Sequence, residues 1–277
     1  MNAGPGRSEG QHVSRSAAAV SLVPQPASRS DVVAAELAIV AGRPFVASWS
    51  GGKDSYLALQ RAVGGGGRPV ALYTMTAEDG RRTHSHALPV SLVERQAAAL
   101  GLPLVVRGAT WDGYEAAFLD GLAELRDRLG AEVGVFGDID LQPHRDWVER
   151  VCDQAGLRAC LPLWLEPRRA LLDELFGAGV GATIVAVNGD RLEERFLGRR
   201  LDRALITELE AAGVDACGEE GEFHTVVTEA PLFAAPVAFA RRGTATIDQY
   251  RFVDVVDEPA PITTPQSPPP QTRRERQ

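Results

Sequence analysis

Apolar segments alternate with amphipathic helical patterns through the middle of the chain. Short apolar runs predict strands at residues 44–49, 69–76, 104–106 and 133–136. Patterns with helical periodicity predict helices at residues 31–41, 54–63, 89–100, 112–129 and 142–155. Strands that alternate with helices in this way are typical of a parallel sheet with helices on both faces. The sequence therefore predicts an α/β fold for residues 31–165.

The pattern changes after residues 162–164. A helix near residues 169–176, a strand at 182–187 and a helix near 200–212 are followed by short β segments up to residue 256. This order predicts a smaller α+β domain over residues 166–257. The ends have a different composition, because residues 1–30 are rich in serine and residues 258–277 are rich in proline. Residues 1–30 are predicted to be a disordered leader, and residues 258–277 a disordered tail.

The helix predicted over residues 112–129 carries a start signal. Asp112 is expected to cap this helix, because Glu115 stands at the spacing of a capping box. Gly130 supplies the expected stop.

The helix predicted over residues 142–155 has two different faces. Trp147, Val148, Val151 and Ala155 share an apolar face, while the opposite face carries Arg145, Glu149 and Cys152. We expect the opposite face to line a cleft.

The charge balance excludes a generally basic protein that coats nucleic acid. The chain has 29 basic and 37 acidic residues, a net charge of -8 and a pI near 5.2. No apolar run approaches the roughly 20 residues that a membrane-spanning helix requires. The cysteines Cys152, Cys160 and Cys217 form no CxxC pair, which argues against a disulfide framework or a structural zinc site. We therefore expect a cytoplasmic enzyme.

Lysine use is the sharpest compositional feature. Lys53 is the single lysine of the sequence, so every other basic residue is arginine. An ammonium group is a compact point charge with rotatable donors, whereas a guanidinium is planar and larger. The retained lysine therefore indicates a specific need for an ammonium group at position 53.

The first predicted strand is joined to its helix by six small or charged residues: Ser50, Gly51, Gly52, Lys53, Asp54 and Ser55. Two glycines let backbone N–H groups approach an anion, and the helix N-terminus adds the positive end of its dipole. The serine hydroxyls and the lysine add further donors. The spacing differs from the Walker pattern, because an aspartate follows the lysine. The segment therefore predicts a phosphate-binding loop.

This loop matches the SGGxDS pattern of the ATP-pyrophosphatase superfamily at every fixed position. The resemblance implies a Rossmann-like α/β fold that binds ATP with Mg²⁺ and cleaves it at the α-phosphate. It further implies that pyrophosphate is released as an adenylated intermediate forms.

Further segments are similar to motifs of the diphthine-ammonia ligase family. They are Gly137-Asp138-Ile139, residues 144–152, Pro162-Leu163-Trp164, the LGR-type segment at 197–202 and the acidic segment at 218–225. The resemblance spans residues 44–227. It implies a ligase that adenylates a carboxylate, joins it to ammonia, and releases AMP and pyrophosphate. The expected partners are ATP, ammonia or an ammonia donor, and a carboxylate acceptor.

The family's motifs provide a set of candidate site residues. Catalytic roles are expected for Lys53, Asp138 and Glu222, with Lys53 stabilising the departing pyrophosphate. The nucleotide is expected to contact the phosphate loop together with Gly137 and Asp138, and Asp138 is expected to hold Mg²⁺. Substrate binding is expected for residues of two segments: Arg145, Glu149, Glu219, Glu220, Glu222, Phe223, His224 and Thr225.

Some of these residues also have a plainer interpretation. Arg145 and Glu149 fit an i,i+4 ion pair, and the glutamates near residue 220 fit a solvated acidic loop. His84 and His86 are expected on a surface loop, because no third metal ligand is evident from their spacing.

The sequence leaves alternatives open for the identity of the acceptor and for the type of activity. His224 stands where family members that amidate diphthine commonly carry an acidic residue, and the arginine-rich composition is typical of a bacterial protein. A different carboxylate acceptor therefore stays open. The alternative functions are an ATP- or AMP-binding sensor without turnover and an RNA-modifying enzyme. Whether the protein forms a homo-oligomer also stays open.

Overall fold

The computed structural model describes residues 28–84 and 86–256. The predicted tail and residues 1–27 of the predicted leader lie outside this range. The first described helix, α1 (Arg29–Val40), begins within the predicted leader, because the Ser28 hydroxyl accepts a hydrogen bond from the Asp31 backbone N–H at 3.2 Å. No helix within residues 28–84 and 86–256 is long and apolar enough to cross a membrane.

A parallel sheet forms the first half of the described chain. Its strands are β1 (Pro44–Ser48), β2 (Arg68–Thr76), β3 (Leu104–Gly108), β4 (Val133–Val135) and β5 (Arg158–Cys160). The described strands lie in the order β3-β2-β1-β4-β5. The helices between them are α2 (Lys53–Gly64), α3 (Val90–Leu100), α4 (Tyr114–Leu129) and α5 (Gln142–Ala155). The predicted Rossmann-like α/β fold is confirmed.

A second, antiparallel sheet follows. Its described strands are β6 (Gly181–Asn188), β7 (Phe223–Glu229), β8 (Ala240–Ile247) and β9 (Tyr250–Val256), in the order β7-β6-β9-β8. Two helices, α6 (Arg168–Gly177) and α7 (Arg203–Ala211), and a short 3₁₀ helix at Glu194–Phe196 accompany this sheet. The predicted smaller α+β unit therefore has this architecture, while its boundary at residue 165 stays a prediction.

One apolar core reaches both sheets. It joins Phe45 and Tyr56 of the first half to Ile184 and Val226 of the second. Burying a side chain of this size contributes about 1.5–3 kcal/mol relative to leaving it exposed. This shared core packs β7 against α2, which brings the acidic segment before β7 close to the phosphate loop.

Helix α4 begins differently from the prediction. Its N-cap is Gly113, with no side-chain capping bond, so the prediction that Asp112 caps the helix is wrong. The reason lies in α5, because Arg150 donates to Glu115 at 2.6 Å and the indole N–H of Trp147 donates to it at 2.8 Å. The Glu115 carboxylate joins α4 to α5 instead of closing a capping box.

Candidate functional site

A cavity of about 610 Å³ opens at the carboxyl ends of β1 and β4. These strands are neighbours in the middle of the sheet. From β1 the sheet continues through β2 and β3 to one edge, and from β4 it continues through β5 to the other edge. Ligands of open α/β sheets bind at such a switch point. The cavity has a volume typical of small-molecule sites. Residues of both sheets line it, from Ser48 in β1 to Thr225 in β7.

Four residues of the phosphate loop line this cavity: Ser50, Lys53, Asp54 and Ser55. The Ser50 hydroxyl accepts a hydrogen bond from the Gly52 N–H at 3.3 Å and donates to the Ser55 hydroxyl at 3.2 Å. Helix α2 begins at Lys53, so the loop leads directly into a helix N-terminus. This arrangement suits an anion, because the positive end of the helix dipole lies beside hydroxyl donors.

The two loop glycines are required by packing inside the protein. A Cβ on Gly51, whose φ is +82°, would lie 2.7 Å from the Gln96 side-chain oxygen. A Cβ on Gly52 would lie 2.5 Å from the His86 ring and 3.1 Å from the Thr225 carbonyl oxygen. Packing against Gln96 and His86 is therefore a reason for glycine at these two positions in addition to the predicted room for an anion. Backbone contact with a phosphate stays a prediction.

Lys53 is buried beside two carboxylates. Its side chain is 5 % exposed, and its Nζ lies 2.7 Å from Asp54 Oδ2 and 3.8 Å from Glu219 Oε1. Burial by itself lowers the pKa of Lys53, but its anionic neighbours, chiefly Asp54, raise it by more. Lys53 therefore remains a cation at the edge of the cavity.

Glu219 is the second carboxylate beside Lys53. Burial, followed by the charge of Asp54, raises the pKa of Glu219 to about 8. One ligand atom from each of Asp54, Cys217 and Glu219 lies within 4.8 Å of the other two. The Lys53 ammonium already supplies positive charge to this cluster, so the cluster alone does not indicate a metal site.

Gly137 and Asp138 follow β4 and line the cavity, as the strand-end position predicted. A Cβ on Gly137 would lie 2.7 Å from the Asp54 carbonyl carbon, so this glycine allows the β4 end to touch the start of α2. His144 Nδ1 lies 3.0 Å from Asp138 Oδ1, and this hydrogen bond raises the pKa of His144. Asp138 is thus a carboxylate held next to the phosphate loop.

Two stacked histidines form another part of the lining. The rings of His86 and His224 lie 4.6 Å apart, and His86 Nδ1 donates to the Thr225 carbonyl oxygen at 2.9 Å. Burial, followed by the charge of Lys53, lowers the pKa of His224 to about 4. Burial and the neighbouring His224 hold the pKa of His86 well below its usual value. Both imidazoles are therefore neutral at pH 7.

His86 lies in a turn, but its side chain is half-buried in the cavity lining, with its ring against Gly52 and His224, and the prediction of a surface position did not include this. His84 lies outside the cavity lining. Its Nε2 lies 2.8 Å from the Ala109 carbonyl oxygen, and its ring packs 4.5 Å from Trp111. The two histidines, two residues apart in sequence, therefore have different surroundings.

An aromatic wall, defined as the five aromatic side chains Trp111, Tyr114, Phe118, Phe136 and Trp147, lines another part of the cavity. The Trp111 and Tyr114 rings stack 5.6 Å apart, and Trp111 is 71 % exposed. This wall was not predicted from the sequence as a functional feature. The positions of Trp111 just after β3 and of Phe136 just after β4 are the signal that could have found it.

The prediction that the polar face of α5 lines a cleft is wrong. Trp147 and Val148 line the cavity, whereas Arg145 and Glu149 do not. Arg145 donates to Glu149 at 2.6 Å and to the buried Glu36 at 2.8 Å, and Glu36 lies on α1. The polar face of α5 therefore contacts α1.

Two predicted substrate-binding glutamates also lie outside the cavity lining. Glu220 is exposed, with its carboxylate 3.5 Å from Arg191. Glu222 is buried and accepts a hydrogen bond from the Glu220 backbone N–H at 3.1 Å. In contrast, Glu219, Phe223, His224 and Thr225 of the same segment do line the cavity.

The strand order of the first sheet and the SGGKDS loop at its switch point define a PP-loop protein of the ATP-pyrophosphatase class. Models of the diphthamide synthase N-terminal and C-terminal domains match residues 44–159 and 168–247. The chain therefore belongs to the diphthamide synthase family, which confirms the family indicated by its motifs.

Curated relatives bear the name diphthine–ammonia ligase. The human protein is 28% identical over 212 residues, covering 66% of this chain and 78% of its own length. The zebrafish protein is 29% identical over 207 residues, covering 66% and 81%. The Schizosaccharomyces pombe protein is 28% identical over 205 residues and is longer, so the match spans 66% of this chain and 34% of that protein. The family is one of ligases, and this chain is an enzyme of that class.

A solved structure from Methanocaldococcus jannaschii, described as a predicted subunit of tRNA methyltransferase, is also similar. It is 15% identical with a TM-score of 0.38, and the match covers 68% of this chain and 97% of that one. A likeness at this level adds nothing to the assignment.

Proposed function

We propose that this protein is an ATP-dependent ligase that adenylates a carboxylate and joins it to ammonia. The observation that carries the proposal is the SGGKDS loop, which lines a cavity enclosed by residues of both family-matched segments. The names of the curated relatives support ammonia as the nucleophile and diphthine as the carboxylate acceptor.

The cavity offers different chemistry to each part of ATP. The phosphate loop presents hydroxyl donors, a helix N-terminus and the Lys53 ammonium to the phosphates. The aromatic wall presents flat apolar surfaces, which favour stacking with a purine ring. We therefore place the triphosphate at the loop and the base at the aromatic wall.

Adenylation requires charge stabilisation on the departing pyrophosphate. An oxygen of the acceptor carboxylate attacks the α-phosphate, and the bond to the bridging oxygen breaks, so pyrophosphate leaves with the electron pair. The Lys53 ammonium lies 2.7 Å from Asp54 and can exchange part of that contact for a phosphate oxygen. Its charge is most useful when the negative charge on pyrophosphate increases, which lowers the barrier.

The residues present also fit a magnesium ion. Mg²⁺ prefers oxygen ligands, and the Asp54 and Asp138 carboxylates both line the cavity beside the phosphate loop. These two side chains would hold the ion, which supplies charge neutralisation for the phosphates when bound. Asp138 retains the metal-binding role proposed from the sequence.

Amide formation requires a proton acceptor. Ammonia attacks the carbonyl carbon of the acyl-adenylate, AMP leaves with the electron pair of the broken carbon–oxygen bond, and the nitrogen loses a proton. Glu219 lines the cavity, and its pKa of about 8 makes its carboxylate a stronger base than an ordinary one, so the ionised fraction, which grows as pH rises towards 8, can take up this proton. We assign this role to Glu219 in place of Glu222, which does not line the cavity.

Steady-state release of pyrophosphate tests the proposal. The wild-type protein should sustain pyrophosphate release over many turnovers only when ATP, Mg²⁺, ammonium and a diphthine-bearing acceptor are all present, because without ammonium release stops once the acyl-adenylate has formed. Asp138→Asn should abolish release, whereas Asp146→Asn, the same change at an exposed position on α5, should not. ATP binding without any pyrophosphate release would support a sensor and contradict the ligase.

A further inference from the structure

Gln96 contacts the phosphate loop from inside the protein. It lies on α3, its side chain is fully buried, and it does not line the cavity. Its Nε2 donates to the Gly51 carbonyl oxygen at 3.0 Å and to the Val227 carbonyl oxygen at 2.7 Å. Its Oε1 accepts from the Trp49 indole N–H at 3.0 Å. One buried amide therefore connects β1's end, the loop and β7.

These bonds fix the direction of a peptide group in the loop. The Gly51 carbonyl oxygen accepts from Gln96 and also from the Val227 N–H at 2.9 Å. In a trans peptide the C=O and the following N–H point in opposite directions. Since the Gly51 C=O points towards α3 and β7, the Gly52 N–H points away from them, and Ser50 accepts its hydrogen bond.

The same contact reaches the second sheet. Val227 lies two residues after Thr225 on β7, and the Thr225 hydroxyl accepts a hydrogen bond from the Lys53 backbone N–H at 3.1 Å. The loop and β7 are thus joined at Gly51 and at Lys53. A change at Gln96 weakens the first of these connections without removing any cavity-lining group.

We propose that Gln96 is a positioning residue for ATP, which holds the Gly51–Gly52 peptide in the orientation that binds phosphate and holds the loop on β7. This inference rests on the proposed function, because it takes ATP as the loop's ligand. A neutral amide suits the position, since it supplies two donors and one acceptor without charge. Glutamate would place a carboxylate against two carbonyl oxygens, and methionine would supply no donor.

The test compares Gln96→Met with Trp49→Phe. Gln96→Met removes both donated bonds, whereas Trp49→Phe removes only the bond that Gln96 accepts and leaves the loop bonds in place. Pyrophosphate release at varied ATP concentration gives KM and kcat, calorimetry gives the Kd for ATP, and thermal unfolding gives Tm.

We expect Gln96→Met to raise the KM and Kd for ATP about tenfold while kcat changes less than threefold, because the loop contacts are made in the ground state as well. Trp49→Phe should leave KM within twofold of wild type even if its Tm falls. Unchanged KM and Kd in Gln96→Met, with only a lower Tm, would overturn the inference. An equal rise of KM in Trp49→Phe would overturn it as well.

A second variant, Gln96→Glu, provides the test if Gln96→Met folds poorly. Gln96→Glu keeps the size and the acceptor, and a protonated carboxyl regains one donor. Its KM for ATP should therefore fall towards the wild-type value as pH decreases, and a pH-independent KM would contradict the role. Failure of the proposed function can be told apart from failure of this inference. If the wild-type protein binds ATP without turnover, the Kd values of the variants for ATP still test the role of Gln96. A wild type that binds no ATP would overturn both.

Discussion

Gly137→Ala is the change whose consequence follows most directly from the geometry. An added Cβ would lie 2.7 Å from the Asp54 carbonyl carbon, 2.8 Å from its oxygen and 2.9 Å from the Ser55 nitrogen. All three are backbone atoms, so no side chain can rotate away. The β4 end and the start of α2 must separate by roughly 0.7 Å to reach the ordinary contact distance of 3.4 Å. Overpacking of this kind costs about 1–3 kcal/mol of stability.

The functional effect follows from which atoms move. Because Asp54 and Ser55 belong to the phosphate loop, the separation displaces the groups proposed to bind ATP. A misplacement approaching 1 Å can cost about 100-fold in rate, so ATP-dependent turnover should fall by about 10-fold to 100-fold. Urea unfolding measures the stability, and pyrophosphate release measures the turnover.

Gly64→Ala is the matched control, since it makes the same change at the other end of α2, where no atom of the described residues beyond the adjoining stretch of the same helix lies within 4 Å of the added Cβ. Its stability should equal or slightly exceed that of wild type, because alanine favours helix more than glycine does. Wild-type stability and turnover in Gly137→Ala would refute the close contact between β4 and the phosphate loop.

Three further predictions concern the titratable groups of the cavity. Lys53→Arg places a larger guanidinium in a nearly closed position between Asp54 and Glu219, so pyrophosphate release should fall about 10²- to 10³-fold; wild-type rates would show that no ammonium is required. Glu219 binds more protons in the folded state than in the unfolded state between its ordinary pKa and about 8, so stability declines as pH rises through that window. Glu219→Gln should flatten this decline in urea unfolding, and an unchanged slope would argue against the raised pKa. The pKa of His224 is lowered to about 4, so its contribution to stability is present above its usual pKa near 6.5 and is lost as pH falls towards 4. NMR titration should give a midpoint near 4 for His224, and a midpoint near 6.5 would contradict its burial.

The first sheet and the phosphate loop were predictable because their signals are local. Apolar runs such as Pro44–Ser48 identify buried strands, and the SGGKDS segment identifies the turn into α2. Strand β5 was not predicted. It has only three residues, and it exists because it pairs with β4, which is a long-range interaction that periodicity does not report.

The composition of the cavity wall was harder to predict for a related reason. Sequence periodicity shows that α5 has two faces, but the choice between them depends on Glu36, a buried carboxylate on α1 that binds Arg145. Likewise, Gln96 looks like an ordinary polar residue on an amphipathic helix. Its importance comes from carbonyl oxygens at Gly51 and Val227, which are far from it in sequence.

The products formed from ATP decide whether this protein adenylates its acceptor. The wild-type protein is incubated with ATP labelled at the α-phosphate, Mg²⁺, ammonium and a diphthine-bearing acceptor, and the labelled product is separated by chromatography. The proposed adenylation places the label in AMP, with an equal amount of pyrophosphate and one amide formed per AMP. Label in ADP, with phosphate as the second product, would show cleavage at the γ-phosphate and contradict the account.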